Sequence, residues 1–94
     1  MGFDVAEKAL YVKCKVSLGN FETEFYVIVD KSSAFVSRDS VKVDRPPEGN
    51  REVEGQVLAY LIAEEKDKAL IQLPGEPAVG GLRAWVPTSA IAAR

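Results

Sequence analysis

Few residues in this chain could do acid–base or nucleophilic chemistry. The sequence contains no histidine, the side chain that most often serves as a general base or a zinc ligand. Serine–histidine–aspartate and cysteine–histidine sites within one chain are therefore excluded. Cys14 is the single cysteine. Its alternating apolar surroundings predict a buried small hydrophobe in a reducing compartment, and we predict no catalytic residue.

Ligands for a metal or a cofactor are also sparse. Segment 64–68 contains Glu64, Glu65 and Asp67, which could hold a cation, but its two lysines interrupt them. A solvated loop tip is the simpler interpretation. Gly80-Gly81 lacks the lysine and the following helix of a phosphate-binding loop. We therefore predict no metal and no cofactor.

Aromatic side chains are the strongest binding candidates. Tyr11, Tyr26, Tyr60 and Trp85 fall within predicted strands, and aromatic residues at a partly exposed edge often anchor a partner. Ile28 joins them because it shares a predicted face with Tyr11 and Tyr26. The alternative is that these side chains pack in the core or in a homodimer interface.

Length and composition predict one domain over residues 1–94. Hydrophobic residues make up 47% of the chain and charged residues 28%, which is ordinary for a globular protein. The formal net charge is −2, and neither half carries a basic excess. Nucleic acid is therefore a disfavoured partner, although Lys8, Lys13 and Lys15 could form a weak RNA-binding patch.

The N-terminal residues do not resemble a targeting signal. Asp4 and Glu7 precede any apolar run, which is unlike a signal peptide, and no apolar run has the length of a membrane span. Together with the single cysteine, these features predict a cytoplasmic address and no membrane partner.

Residues 10–18 alternate between apolar even positions and mostly polar odd ones, which predicts a half-buried strand. Gly19-Asn20 then predicts a two-residue hairpin turn that sets Leu18 opposite Phe21 in a second strand over 21–29.

This register has two consequences on the outer side of the hairpin. It sets Lys15 opposite Glu24 as an ion pair. It also gathers Tyr11, Tyr26 and Ile28 into an apolar cluster at the open end of the hairpin. We expect another part of the chain or a second copy to cover that cluster, which makes a homodimer possible.

Two segments fifty positions apart share a pattern. Ala34-Phe35-Val36 and Ala84-Trp85-Val86 each predict a short strand, followed by a tight turn and a β-branched residue at 41 or 91. This echo divides the chain into halves over 8–43 and 55–93, joined by loop 44–54. Whether the halves are a true duplication stays open.

Residues 57–73 allow two interpretations. Their leucine, alanine, glutamate and lysine residues favour one helix by intrinsic propensity. The five charged residues of segment 64–68 would interrupt the apolar stripe of such a helix, whereas a hairpin with a charged tip explains the same pattern. The pattern favours the hairpin.

The octet from Ala84 to Ile91 resembles the closing strand, proline-started 3₁₀ turn and final strand of an SH3-like barrel. From 55 to 91 the order of strands and glycine-containing loops is also similar to that family. The resemblance implies an all-β fold, a small barrel of about six to seven antiparallel strands, and a role in binding proteins.

Residues 11–41 resemble the N-terminal part of the retropepsin-type aspartic protease barrel. Asp30-Lys31-Ser32-Ser33 stands where that family has Asp-Thr/Ser-Gly, so the glycine of the motif is missing. The resemblance implies either an aspartic hydrolase using Asp30 or an inactive relative.

The function predicted from the sequence is a non-enzymatic β-barrel module for protein–protein contact. A retropepsin-like hydrolase and a weak RNA-binding barrel are the alternatives.

Overall fold

The computed structural model describes residues 8–93. All strand pairs in this range are antiparallel and form one strongly curled half-barrel sheet, whose main path runs β7-β3-β2-β1-β5-β6-β8. The predicted all-β fold is confirmed. The elements are β1 Lys8–Leu18, β2 Glu24–Val29, β3 Ser32–Ser37, a 3₁₀ turn Arg38–Ser40, β4 Val41–Val43, β5 Val53–Glu65, β6 Lys68–Gln72, β7 Glu76–Val79, β8 Arg83–Pro87, a 3₁₀ turn Thr88–Ala90 and β9 Ile91–Ala93.

The core lies inside the curl and follows the alternation of the sequence. On β1 the even-numbered residues from Leu10 to Val16 are buried, while Lys13 and Lys15 are exposed. Burial of apolar area is the main stabilising term in a domain of this size. The buried apolar residues are Leu10, Val12, Cys14, Val16, Phe25, Val27, Val29, Ala34, Val36, Val57, Ala59, Ala69, Ile71, Leu73, Ala84 and Val86.

The long strands β1 and β5 form the central ladder of the sheet. They pair continuously from Lys8 opposite Leu61 to Val16 opposite Val53. The other edge of β1 is shared by β2 and β9, and the other edge of β5 is shared by β4 and β6. Each central strand therefore pairs with three other strands.

The two halves repeat one arrangement. Each half has a hairpin, a third strand, a 3₁₀ turn and a last strand that crosses to the first strand of the other half. Val41 pairs with Val57, and Ile91 pairs with Val12. Val12 and Val57 also pair with each other, so an approximate two-fold axis passes between them. The echo in the sequence therefore marks a corner that the chain makes twice.

The same hydrogen bond closes both corners. The backbone N–H of Arg38 donates to the carbonyl of Thr23 at 3.1 Å, and the N–H of Thr88 donates to the carbonyl of Asp67 at 2.8 Å. Each bond ties the residue that follows the third strand to the loop of the preceding hairpin. The predicted order of strand, proline, 3₁₀ turn and final strand at 84–91 is confirmed.

The predicted two-residue turn at Gly19-Asn20 is wrong. The loop runs from 19 to 23, and Leu18 pairs with Phe25 instead of Phe21. The side chain of Glu24 accepts a hydrogen bond from the N–H of Asn20 at 2.9 Å and closes this loop. The longer loop leaves the start of β1 free of β2, and β9 pairs there instead.

The register differs from the predicted one by four residues, an even number, so every side chain keeps its predicted face. Two specific predictions on the outer side are wrong, however. Lys15 lies opposite Glu54 and Ile28 instead of Glu24. Tyr11 lies beyond the end of β2, so it does not join Tyr26 and Ile28 in one cluster.

Residues 57–73 form the predicted hairpin and not a helix. Strands β5 and β6 are joined by a tight turn at 66–67, with a register shift between Leu61 and Ala63 that leaves Ile62 as an extra residue. Strand β5 begins at Val53, two residues before the predicted start of the second half. The charged tip therefore overrides the helix propensity of the segment.

Strand β7 was not predicted, because Pro74-Gly75 and Pro77 favour a loop. The segment crosses to the first half and pairs with the edge of β3, with a register shift next to Pro77. Gly75 has a φ of +88°, and a Cβ atom there would overlap the carbonyl oxygen of Phe35. Glycine at 75 therefore permits the contact that seats β7.

Gly75→Ala and Gly81→Ala form a matched pair that tests this contact. Both glycines have positive φ, but a Cβ at Gly81 meets nothing within 4 Å. We expect Gly81→Ala to lower the free energy of unfolding by about 1–2 kcal/mol through backbone strain alone. Gly75→Ala should lower it by about 1–3 kcal/mol more, as overpacking does.

Urea denaturation measures both losses, and hydrogen exchange of the Phe35 amide reports whether β7 has left the β3 edge. Equal losses in the two variants, with Phe35 still protected, would contradict the role assigned to Gly75.

Candidate functional site

The five predicted binding residues all lie outside the buried core. Tyr11, Tyr26, Ile28 and Tyr60 are half-buried, and Trp85 is 41% exposed. The alternation of each strand places them on the outer side of the curled sheet, where core packing does not account for them. The structure divides them between two surfaces.

The larger surface crosses β1, β5, β6 and β8, and we call it the Trp85 face. Tyr11 lies opposite Leu58 across the central ladder, and Leu70 lies directly opposite Trp85. Tyr60 connects these pairs because it faces Gln72, two residues from Leu70 on β6. Cross-strand and diagonal neighbours of this kind are close enough to touch, so the face carries a row of apolar side chains across four strands, with Gln72 beside it.

Polar groups flank Trp85 on this face. The Nε of Arg83 donates to Oε1 of Gln72 at 2.9 Å, which holds the arginine beside the tryptophan. Lys68 lies opposite Pro87, on the other side of the Leu70–Trp85 pair. A cationic side chain therefore stands on either side of the apolar pair.

The smaller surface comprises Tyr26, Ile28 and Phe35, and we call it the Tyr26 patch. The hydroxyl of Tyr26 donates to Oγ of Ser33 at 2.8 Å. The rings of Tyr26 and Phe35 lie with their centroids 5.1 Å apart and tilted by 49°. The polar tip and the ring of Tyr26 are therefore already engaged within the chain.

A charged strip separates the two surfaces. Lys15 Nζ lies 2.6 Å from Oε2 of Glu54, and this hydrogen bond and charge raise the pKa of the lysine. Lys42 Nζ lies 4.0 Å from the ring centroid of Tyr11, a cation–π contact. An open depression of about 550 Å³ lies along the strip, and its charged lining residues are Lys13, Lys42, Asp44 and Glu54. This mixture of signs does not form a continuous basic path for RNA.

Sequence reasoning missed several exposed apolar side chains. Leu18 is 42% exposed, Phe21 70% and Val79 61%. The predicted two-residue turn pairs Leu18 with Phe21, whereas the observed loop leaves Phe21 outside the strands. Val79 belongs to β7, in a segment whose prolines and glycines favour a loop. The period-two pattern of β5 and β6 could have added Leu58 and Leu70 to the Trp85 face, because both alternate with buried residues.

Asp30 occupies the tip of the β2–β3 hairpin. It is exposed and has a φ of 54°, a left-handed conformation that aspartate tolerates in turns. Across the approximate two-fold axis, the segment from 74 to 82, which includes β7, replaces this tight turn, and it contains no aspartate. Among residues 8–93, no group of three or more His, Cys, Asp or Glu side chains could hold a metal ion.

Comparisons with known protein families, with curated proteins and with solved structures gave no significant match. Within the described residues, no helix is long and apolar enough to cross a membrane.

Cys14 lies in the core, as predicted, and is only 6% exposed. Burial, and to a lesser extent the negative charge of Glu54, raises the pKa of its thiol to about 12. A thiolate is the reactive form, so this cysteine is protonated at neutral pH and unsuited to nucleophilic chemistry.

The raised pKa of Cys14 predicts a loss of stability at alkaline pH. The unfolded thiol ionises around its ordinary pKa of 9.0 and the folded thiol around 12. Between these values the unfolded state binds fewer protons, so the free energy of unfolding falls as pH rises, by at most about 1.4 kcal/mol per pH unit. Urea denaturation from pH 8 to 11 should show this slope relative to Cys14→Ala, which lacks the thiol. Parallel pH profiles of the two proteins would contradict the assignment.

Proposed function

We propose that this chain is a non-enzymatic small β-barrel module that binds another protein through the Trp85 face. The observation that carries the proposal is the pair of exposed Trp85 and half-buried Leu70, held directly opposite each other on adjacent strands. Tryptophan and arginine are enriched among the residues that dominate binding energy, and Arg83 stands beside this pair.

The Trp85 face is favoured over the Tyr26 patch as the main binding surface. The hydroxyl of Tyr26 donates to Ser33 and its ring packs against the ring of Phe35, which supports a structural role for that patch. Within residues 8–93, no aromatic ring packs against Trp85 as Phe35 packs against Tyr26. Its exposed ring therefore offers more apolar area for a partner to bury.

The finer resemblance to an SH3-like barrel is part of this proposal. Support comes from the corner of β8, the 3₁₀ turn and β9, which follows the order of that family's closing segment. The retropepsin alternative has weaker support. An aspartic dyad in that family joins one aspartate from each of two copies, and the Asp30 turn lacks the glycine that lets the two carboxylates meet.

Photocrosslinking from the Trp85 face tests the proposal. With benzoylphenylalanine in place of Tyr60, we expect adducts with another protein in cells that express the chain. Adding Trp85→Glu should reduce the yield about tenfold or more, because truncating a central anchor typically costs 2 kcal/mol or more of binding energy.

Phe21→Glu is the matched control, because Phe21 is an exposed aromatic residue in the β1–β2 loop, away from the Trp85 face. It should leave the adducts intact. Absence of adducts, or adducts that Trp85→Glu leaves unchanged, would contradict the proposal. The mass of the adduct and light scattering of the purified chain distinguish a foreign partner from a homodimer, and Tyr26→Glu reports whether a homodimer uses the Tyr26 patch.

A further inference from the structure

The outer edge of β8 has no strand partner in the described part of the chain, residues 8–93. Its two-fold equivalent, the outer edge of β3, is covered by β7. The equivalence is close at the residue level, because Phe35 lies opposite Tyr26 and Trp85 lies opposite Leu70 in the corresponding hairpins. One edge of the repeat is thus filled by an extended segment, and the other is open.

Two hydrogen bonds fix which backbone groups the open edge presents. The N–H of Leu73 donates to the carbonyl of Leu82 at 2.8 Å, and the N–H of Thr88 donates to the carbonyl of Asp67 at 2.8 Å. In an antiparallel ladder the bonded residues alternate, so 82, 84, 86 and 88 bond to β6. The backbone groups of Arg83, Trp85 and Pro87 point to the open edge.

On β3, too, alternate residues direct their backbone groups away from the hairpin partner. The bond from the Arg38 N–H to the Thr23 carbonyl directs the backbone of Ser33 and Phe35 away from β2. These two residues pair with Val79 and Glu76 of β7. Phe35 therefore has a strand partner at the position where Trp85 has none.

Part of the open edge is already occupied. Oγ of Ser32 lies 3.3 Å from the carbonyl oxygen of Arg83, and also 3.3 Å from that of Gly80. Pro87 has no N–H to donate. The carbonyl of Pro87 accepts the first bond of the 3₁₀ turn. The groups that remain for a ligand, as far as residues 8–93 show, are the N–H of Arg83 and the N–H and carbonyl of Trp85.

We propose that the β8 edge binds an extended segment of a partner protein by strand addition. An apolar side chain of that segment packs on Trp85 and Leu70, and acidic side chains two residues away on each side meet Arg83 and Lys68. This inference deepens the proposed function and rests on it. Strand addition takes affinity from backbone hydrogen bonds and specificity from alternate side chains.

The structure favours a foreign strand over a second copy. Two β8 edges paired antiparallel around Trp85 would bring Arg83 of each copy opposite Pro87 of the other, beside Lys68. Arg83 of one copy and Lys68 of the other repel, although Glu65 opposite Lys68 offsets part of that charge, whereas an acidic strand complements Arg83. Strand β7 provides the internal example of an added strand, because it pairs with the equivalent edge of β3.

The test uses the full chain and an acetylated, amidated peptide, Thr-Glu-Thr-Val-Thr-Glu-Thr, followed by ¹⁵N NMR and amide hydrogen exchange. At saturation we expect the amide chemical shifts of Arg83 and Trp85 to change. Hydrogen exchange of the Trp85 N–H should slow by a factor of about ten or more. N-methylation of the valine should abolish binding, because it removes the donor that faces the free carbonyl of Trp85. Arg83→Glu should reverse the preference, toward a peptide with lysine in place of glutamate.

Three results would overturn the inference: no shift at 83–87, equal binding of the N-methylated peptide, or shifts confined to 33–37 through displacement of β7. Tyr60 crosslinks report any protein contact on the Trp85 face, with or without strand pairing. If they persist while the peptide result is negative, strand addition alone fails. If they are absent as well, the proposed function fails with it.

Discussion

The ladder between β1 and β5 is the constraint on which the rest of the sheet depends. Each strand is long enough to pair fully with the other and to leave its second edge for two shorter strands, one from each half of the chain. Val12 and Val57, fully buried and opposite each other, lie where the halves meet. Because β4 and β9 cross to the opposite half, neither half completes its own pairing alone. Folding therefore needs contacts between residues distant in sequence, and we expect it to be slow for a domain of this length.

The sequence predicted those features that depend on local pattern. Alternation identified β1 and the buried position of Cys14, and the repeated Ala–aromatic–Val motif identified both corners. It could not predict the register of the first hairpin, because Gly19-Asn20 is a strong turn signal by itself. The loop that forms instead leaves Tyr11 and Val12 free to pair with β9, some eighty positions later in the chain. A long-range pairing thus overrode a local preference, and with it the predicted cluster of Tyr11, Tyr26 and Ile28 was lost.

The candidate site was predicted by residue type but not by arrangement. Residue type alone makes Tyr60 and Trp85 binding candidates, because aromatic side chains often anchor partners. Their arrangement in one row depends on the order of β5, β6 and β8, which the sequence does not indicate. Alternation alone marks Leu70 as facing outward, but its position opposite Trp85 depends on the pairing of β6 with β8. Strand β7 also depends on an arrangement that local sequence preferences do not indicate. Prolines and glycines reduce strand propensity, but an edge strand needs only part of its backbone for pairing, and Gly75 allows close approach to β3.

Strand β7 also makes the two halves different, because it covers the outer edge of β3 while no strand within residues 8–93 covers the outer edge of β8. A symmetric arrangement would leave two open edges, and exposed edges favour aggregation. Covering β3 leaves the short strand β7, which contains Pro77, as one terminal strand of the sheet. At the other end, Ser32 and Pro87 limit the β8 edge to a few backbone groups around Trp85. Arg83 and Lys68 add charge beside that short opening, a common protection against pairing with an identical edge. In the proposed strand addition the same charges favour an acidic strand, so one set of side chains would both oppose self-association and select the partner.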